Sequence, residues 1–541
     1  MRIAIAQLNF HVGNFEENSS KIINAIAKAE KEGADLVVFS ELAICGYPPR
    51  DFLEFDEFVD ECLKQIDKIA SCCVNIAAIV GGPSRNPSPR GKKLYNSAFF
   101  LHNGKVEKVV NKSLLPNYDV FDEYRYFEPN REFSILNFKG EKIALTICED
   151  LWNISEKLYE TDPMEELVKQ GATLMINIAA SPFNYNQANI RSVVLKSNFA
   201  KYKMPIVYCN HSGAQTELIF DGGSLFINQQ GVVAEELSYF AEDFKIIDST
   251  NSSKKDVAAV QDKTNNIHHA LILGIKDYFR KLGFKKAVLG LSGGIDSAVV
   301  FALAAEALGS ENVLGILMPS QFSSDHSISD AKKLAQNLNA ETHTIEIEPL
   351  FSEFSSELAP VFQNLPFGLA EENLQARIRG TLLMAISNKF GHILLNTTNK
   401  SEASVGYGTL YGDMNGGLSV LGDIYKTEVY ALAKHINRNM EIIPLNSIVK
   451  PPSAELRPGQ KDSDSLPEYD ILDQILFQYI ELRKGPEAII SQGFDEATVK
   501  RVLKLVNISE YKRHQTPPIL RVSTKAFGMG RRMPIVGKYL S

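Results

Sequence analysis

Cysteine is sparse in this 541-residue chain: there are six, scattered, with Cys72 and Cys73 adjacent. That spacing suits neither a disulfide framework nor a set of metal ligands, and a reducing cytoplasm is the expected home. No uninterrupted apolar run approaches the roughly 20 residues of a membrane helix. The N-terminal string Met1-Arg2-Ile3-Ala4-Ile5-Ala6-Gln7-Leu8 alternates like a strand and lacks the long apolar core of a signal peptide. Surplus positive charge is missing too. Lys and Arg number 57 against 65 Asp and Glu, for a formal net charge of −8. Neither nucleic acid nor a membrane is therefore an expected partner, although a local basic pocket for a phosphorylated small molecule is compatible with that balance. What remains is an ordinary globular composition, 44% hydrophobic and 23% charged, long enough for two or more domains.

Up to Asp248 the chain reads as alternating strands and helices. Ile3 to Leu8, Leu36 to Phe39, Ile76 to Val80, Ile143 to Ile147, Leu174 to Ile178 and Ile206 to Cys209 are short apolar strand candidates, with amphipathic helices at Asn18 to Lys31 and Asn189 to Tyr202. The polar run from Asp248 to Asp256 cannot bury itself, so residues 249–265 are expected to be a linker between domains 1–248 and 266–541. Beyond it, a helix from Asn266 to Leu282 precedes renewed alternation through Val313 to Met318, Ala331 to Leu338, Thr342 to Ile347 and Ile393 to Asn396. This is the pattern of a parallel sheet covered on both faces. Pro451 to Pro467, polar and proline-rich, reads as a mobile loop rather than core.

In the second half, Ser292-Gly293-Gly294-Ile295-Asp296-Ser297 lies between the apolar runs Ala287 to Leu291 and Ala298 to Phe301. A buried strand thus enters a helix through a glycine turn. Gly293 and Gly294 let backbone N–H groups close on an anion, Ser292 and Ser297 add hydroxyl donors, and the helix N-terminus adds partial positive charge. Asp296 would repel phosphate unless a magnesium ion lay between them. The missing Gly-Lys-Ser/Thr ending excludes a Walker loop. The string resembles the pyrophosphate loop of the ATP pyrophosphatase family, which implies cleavage of ATP to AMP and pyrophosphate while a substrate oxygen is activated as an adenylate.

In the first half, Cys148 ends the apolar strand Ile143 to Ile147, Glu41 follows Leu36 to Ser40, and Lys112 follows the strand candidate Val106 to Val110. α/β proteins keep their chemistry at such strand ends. A cysteine, which must be available as a thiolate, can attack an amide carbon; a glutamate can take its proton and return it; a lysine can stabilise the oxyanion together with the backbone N–H after the nucleophile. The set, with its local strings Phe39-Ser40-Glu41-Leu42, Asn111-Lys112-Ser113-Leu114 and Ile147-Cys148-Glu149-Asp150, resembles the Glu-Lys-Cys triad of the nitrilase superfamily. That resemblance implies carbon–nitrogen bond cleavage, an auxiliary glutamate at Glu123, and Tyr47 and Tyr118 beside a glutamine pocket. Asn130 stands where the family usually has glycine.

Further strings, Asn373-Leu374-Gln375-Ala376-Arg377, Thr397-Thr398-Asn399-Lys400-Ser401-Glu402, Gly406 to Asp413 and Leu421 to Glu428, make the second half similar to the NAD synthetase family; a nitrilase-like domain ahead of it is the arrangement of that family's glutamine-dependent branch. The resemblance implies an α/β protein: an N-terminal nitrilase-like α-β-β-α sandwich, then a Rossmann-like doubly wound parallel sheet. By the same resemblance ATP would meet Ser292, Gly293, Gly294, Ile295, Asp296, Ser297, Met318, Thr397 and Ser453. Nicotinic acid adenine dinucleotide would meet Asn373, Arg377, Asp413, Lys426 and Lys512, with magnesium on Asp296 and Glu402. Glutamine would supply ammonia along a shielded route, and the family implies a homo-oligomer. A basic groove or an RNA-binding domain would favour an adenylating enzyme acting on RNA; neither appears. Intact Glu41, Lys112, Cys148, Asp296 and Glu402 stand against a regulatory protein with decayed sites.

Overall fold

The computed structural model describes residues 1–154, 158–250, 262–363, 365–453 and 455–540. The chain forms two compact units, Met1–Gln261 and Asp262–Ser541. Of the expected linker, 249 and 250 continue a turn after the last strand of the first unit, 251–261 lie outside the described residues, and the helix of the second unit begins at Lys263. Among the described residues no helix is long and apolar enough to cross a membrane.

The first unit contains β1 (Arg2–Gln7), β2 (Leu36–Val38), β3 (Ala77–Arg85), β4 (Leu94–His102), β5 (Lys105–Asn111), β6 (Leu136–Phe138), β7 (Glu141–Ile147), β8 (Leu174–Ala179), β9 (Ile206–Asn210), β10 (Ser212–Gln215), β11 (Leu218–Asp221), β12 (Leu225–Ile227), β13 (Val233–Glu236) and β14 (Asp243–Asp248). Two six-stranded sheets run in the orders β14-β1-β2-β3-β4-β5 and β13-β12-β9-β8-β7-β6. Side chains alternate across a strand, and β1 shows the consequence: Ile3 and Ile5 enter a core shared with residues of the second sheet, whereas Ala4 and Ala6 enter another shared with Ile22, Ile26, Val59 and Ile66 of the helices Phe15–Lys31 and Asp56–Ser71. Helix, sheet, sheet and helix layers follow.

The sheets are mixed rather than a plain alternation of strand and helix. Asn103-Gly104 takes positive φ at both residues, the geometry of a two-residue hairpin, and sets β5 antiparallel to β4. An ion pair locks the Gln187–Tyr202 helix to β11: both Arg191 Nη atoms donate to Asp221, at 3.1 and 2.8 Å, with the two residues 2% and 1% exposed. Arg191→Leu leaves that carboxylate buried and unpaired, and is expected to cost about 3–5 kcal/mol in urea unfolding of the full chain. An unchanged midpoint for the first unit's transition would contradict this.

The second unit has β15 (Ala287–Gly290), β16 (Val313–Leu317), β17 (Glu341–Thr344), β18 (Ile393–Asn396) and β19 (Leu418–Ser419), all parallel, in the order β17-β16-β15-β18-β19. Chain order reverses between β15 and β18. Doubly wound sheets open a crevice at that switch point, outside the carboxyl ends of the strands.

Candidate active sites

In the first unit, three strand ends bring Glu41, Lys112 and Cys148 into one buried cluster. Glu41 follows β2 on a segment that crosses β3 so closely that a side chain at Gly81 would lie 2.4 Å from Leu42 N. Lys112 Nζ donates to Glu41 Oε1 at 2.7 Å and to both oxygens of Glu123 at 2.8 Å, with the ammonium fully buried. Burial alone would pull that ammonium down, but the Glu123 and Glu41 carboxylates outweigh it and hold its pKa well above the ordinary lysine range. Lys112 is a fixed cation. Tyr47 Oη donates to Glu123 Oε1 at 3.0 Å.

Cys148 begins a 3₁₀ turn, Cys148–Leu151, with a φ of +43°, a conformation rare outside glycine. Asp150 fixes the turn by accepting from Ile147 N at 3.0 Å, Ser113 N at 3.0 Å and Leu114 N at 2.9 Å, which staples the nucleophile's turn to the segment after Lys112. Burial and the charge of Glu41 push the Cys148 thiol well above its ordinary value, with Lys112 acting the other way. A desolvated sulfur beside carboxylates keeps its proton until a base takes it, the part expected of Glu41. Beside it, Glu149 accepts from Tyr118 Oη at 2.9 and 3.1 Å and from Tyr159 Oη at 3.0 Å. Tyr118 thus reaches the neighbour of Cys148, while Asn130 braces its own loop by donating to Glu132 O and ties it to the Lys112 segment through its backbone N–H, which donates to Lys112 O at 2.9 Å.

In the second unit the glycine turn has the geometry its residue types dictate. Gly293 has φ +76°, and a Cβ there would sit 2.2 Å from Ser327 O, so only glycine fits. Ser292 Oγ and Ser297 Oγ lie 3.1 Å apart, and Gly294 caps the Ile295–Leu308 helix without a side-chain acceptor. The helix's first N–H groups therefore face a cavity of ≈ 320 Å³ at the switch point. Ser292, Gly294, Ile295, Asp296, Ser297, Met318, Thr397, Glu402, Asp413, Lys426 and Ser453 all line it.

Gly293, Asn373, Arg377 and Lys512 do not line the cavity. The last three gather instead on the Gly406–Asp413 segment: Asn373 Oδ1 accepts from Thr409 Oγ1 at 2.7 Å, Arg377 Nε donates to Leu410 O at 3.3 Å, and Lys512 Nζ donates to Gly406 O and Gly408 O at 2.8 and 2.7 Å. Tyr407, Gly412 and Asp413 of that segment carry it to the cavity wall.

The carboxylates Asp296 and Glu402 belong to a closed ring. Asn399 caps the Lys400–Val405 helix by accepting from Glu402 N at 3.0 Å, and its Nδ2 donates to Asp296 Oδ1 at 2.9 Å. Lys426 Nζ completes the ring at 2.5 Å from Asp296 Oδ2 and 3.5 Å from Glu402 Oε1. Even so, burial and the charge of Asp296 push Glu402 up to about 8. The ring is short of positive charge.

Three residues at these sites had no role assigned from the sequence: Asn96 of β4, which donates to Glu41 Oε1 at 2.7 Å, Asn399, present only as a member of the Thr397 to Glu402 string, and Asp462. Asp462 departs from the expected loop character of Pro451 to Pro467, because it is buried on a 3₁₀ turn and accepts from Tyr407 Oη and Tyr469 Oη at 3.2 and 2.9 Å. Two tyrosine hydroxyls replace the water that a surface aspartate would keep.

Residues 267–516 match the family described as NAD synthase, and residues 2–253 that described as carbon-nitrogen hydrolase. The chain is 47% identical over 546 residues to a glutamine-dependent NAD(+) synthetase of Synechocystis sp., covering 98% of each chain. It is 41% identical over 578 residues to that of Thermotoga maritima, covering 100% of this chain and 99% of the relative. Among solved structures, glutamine-dependent NAD+ synthetase from Acinetobacter baumannii in complex with adenosine diphosphate matches with a TM-score of 0.78 at 37% identity, covering 99% of this chain and 98% of that one. With carbon-nitrogen hydrolase and NAD synthase regions in that order and identity of this level along its whole length, the chain belongs to the glutamine-dependent NAD(+) synthetase family.

Proposed function

We propose that the first unit hydrolyses glutamine to glutamate and ammonia, and that the second uses ATP to amidate nicotinic acid adenine dinucleotide, giving NAD, AMP and pyrophosphate. The observation that carries this reading is the buried Glu41–Lys112–Glu123 cluster at the turn of Cys148, in a chain whose second unit opens an anion-binding helix terminus onto a crevice of mixed charge.

In the first unit, Glu41 takes the Cys148 thiol proton as sulfur bonds to the amide carbon, and Lys112 stabilises the charge on the carbonyl oxygen. The C–N bond then breaks, and Glu41 returns the proton to the leaving ammonia, leaving a thioester. Water adds to it, giving one proton to Glu41; the S–C bond breaks, glutamate leaves, and the thiol is restored. Glu149, with Tyr118 and Tyr159, supplies a polar wall for the substrate.

In the second unit the pyrophosphate portion of ATP meets the Ser292–Ser297 turn, and the nicotinate carboxylate displaces pyrophosphate at the α-phosphorus. Ammonia then displaces AMP from that adenylate. ATP supplies the leaving group that a carboxylate lacks. Magnesium fits the residues present, because two carboxylates that converge with too little counter-charge offer hard oxygen ligands. Asp296 and Glu402 would hold it, and when bound it offsets phosphate charge. Among the described residues no group of three or more His, Cys, Asp or Glu side chains is set to hold a metal, so phosphate oxygens and water would complete its shell.

We assign the protein to the cytoplasm, where its six cysteines, all free thiols, remain reduced. A homo-oligomer is supported by the apolar side chains Phe354, Val361, Leu365, Phe367, Leu369 and Phe390, each at least 50% exposed along two successive helices of the second unit and their connection. The test of the function is an assay with nicotinic acid adenine dinucleotide, ATP and magnesium, scored for NAD with glutamine or ammonium as nitrogen source. Both should support synthesis; failure with ammonium would remove the second unit's assignment.

A further inference from the structure

The nucleophile's surroundings hold more negative charge than they can stabilise. Around Lys112, one buried ammonium faces two buried carboxylates, Glu41 at 1% and Glu123 at 5% exposure. Cys148, Glu149, Tyr47 and Tyr159 are other titratable groups that act on this cluster. Low-dielectric surroundings disfavour ionising both carboxylates beside a single ammonium, and a proton shared by the pair relieves that cost. Which carboxylate holds it decides whether Glu41 can act as a base.

The hydrogen bonds are unequal. Glu41 Oε1 accepts from Lys112 Nζ at 2.7 Å and from Asn96 Nδ2 at 2.7 Å, and its Oε2 accepts from Ala180 N at 3.0 Å. Glu123 accepts from Lys112 Nζ with both oxygens at 2.8 Å and from the neutral phenol of Tyr47 at 3.0 Å, but receives the Asn96 amide only at 3.3 Å, so the amide and the Ala180 N–H are what Glu41 has and Glu123 lacks at close range. Asn96, fully buried on β4, is thus shared between the two carboxylates and leans toward Glu41. Its amide orientation is dictated by chemistry, since a flipped amide would aim its carbonyl oxygen at two carboxylates. Its backbone oxygen also accepts from Lys112 N at 2.8 Å, so one residue registers three members of the cluster.

We propose that Asn96 is a positioning residue that places the shared proton: it keeps Glu41 ionised as the base for Cys148 and leaves the proton on Glu123. The inference rests on the reading of the first unit as a glutaminase. The rise of Glu123 to about 7 by burial, against the pull of Lys112, agrees with it. The Glu123 carboxyl then serves as a neutral proton store beside the cation, and Glu41 as the carboxylate that exchanges protons with sulfur and ammonia.

The experiment is the pH profile of kcat/KM for glutamine hydrolysis in the full-length protein. Asn96→Ala removes a donor to a charged acceptor, so the acid limb is expected to move up by about one pH unit, while Asn96→Ser, which keeps a hydroxyl donor, should return it most of the way. A purely structural role would lower kcat without moving the limb. The first unit's urea-unfolding transition reports that each variant is folded, and ammonium-dependent NAD synthesis, which does not use this cluster, that the second unit is intact. A second measurement reads the proton directly: in infrared difference spectra against the wild type, one carboxylic-acid C=O component should be lost in Glu123→Gln and none in Glu41→Gln, the Glu402 carboxyl contributing equally to both. A limb unmoved in Asn96→Ala, or a band lost in Glu41→Gln and kept in Glu123→Gln, overturns the assignment. Absence of any glutamine hydrolysis by the wild-type protein would instead defeat the glutaminase reading.

Discussion

Cys148→Ala is expected to abolish glutamine hydrolysis, by on the order of 10⁴-fold or more, and with it glutamine-dependent synthesis of NAD, while ammonium-dependent synthesis continues. The sulfur sits on a strained backbone turn held by Asp150 and faces the Glu41–Lys112–Glu123 cluster, and no other nucleophile stands there to form a thioester. Alanine keeps the turn's size, so the loss should come without loss of fold. Glutamate release and NAD formation measured on the same preparation check it. Loss of both nitrogen sources in a folded variant would show that the two activities do not separate as the chain does.

The second large effect falls on the other unit. Asp296→Asn preserves shape but removes one of the two carboxylates in the ring with Asn399, Glu402 and Lys426. Synthesis should fall by ~10²-fold or more with either nitrogen source, because charge stabilisation at the α-phosphorus is lost, while glutamine hydrolysis persists. Lys426 would also lose its closer partner. Undiminished ammonium-dependent synthesis would take Asp296 out of the metal site, and raising the magnesium concentration should not restore the variant if the carboxylate itself is required.

Much of this was legible from residue order because strands and tight turns are local. The strand candidates before Glu41, Lys112 and Cys148, ending at Ser40, Val110 and Ile147, placed all three at strand ends, and β2 and β5 of one sheet and β7 of the other bring those ends together. The glycine turn was equally readable, since Gly293 is forced by a close approach to Ser327. Other features depend on partners far along the chain. Asn96 lies in the middle of an antiparallel strand that looks like any other, and only the fold brings it 2.7 Å from Glu41, 55 residues away. Asn399 reads as a helix cap; that its amide also holds Asp296, 103 residues distant, is invisible before folding. How far the Cys148 thiol is pushed up is hidden for a related reason: desolvation depends on what covers a group. The Asn103-Gly104 hairpin carried a readable signal that the strand–helix pattern obscured.

The account's central claim is that one chain moves the amide nitrogen of glutamine onto a carboxylate activated by ATP. Its most direct test supplies glutamine labelled with nitrogen-15 at the amide, together with nicotinic acid adenine dinucleotide, ATP and magnesium, and reads the NAD by mass spectrometry alongside the nucleotide products. The account predicts NAD carrying the label in its carboxamide, with one AMP and one pyrophosphate formed for each NAD. Unlabelled NAD, or ADP and phosphate in place of AMP and pyrophosphate, would contradict it.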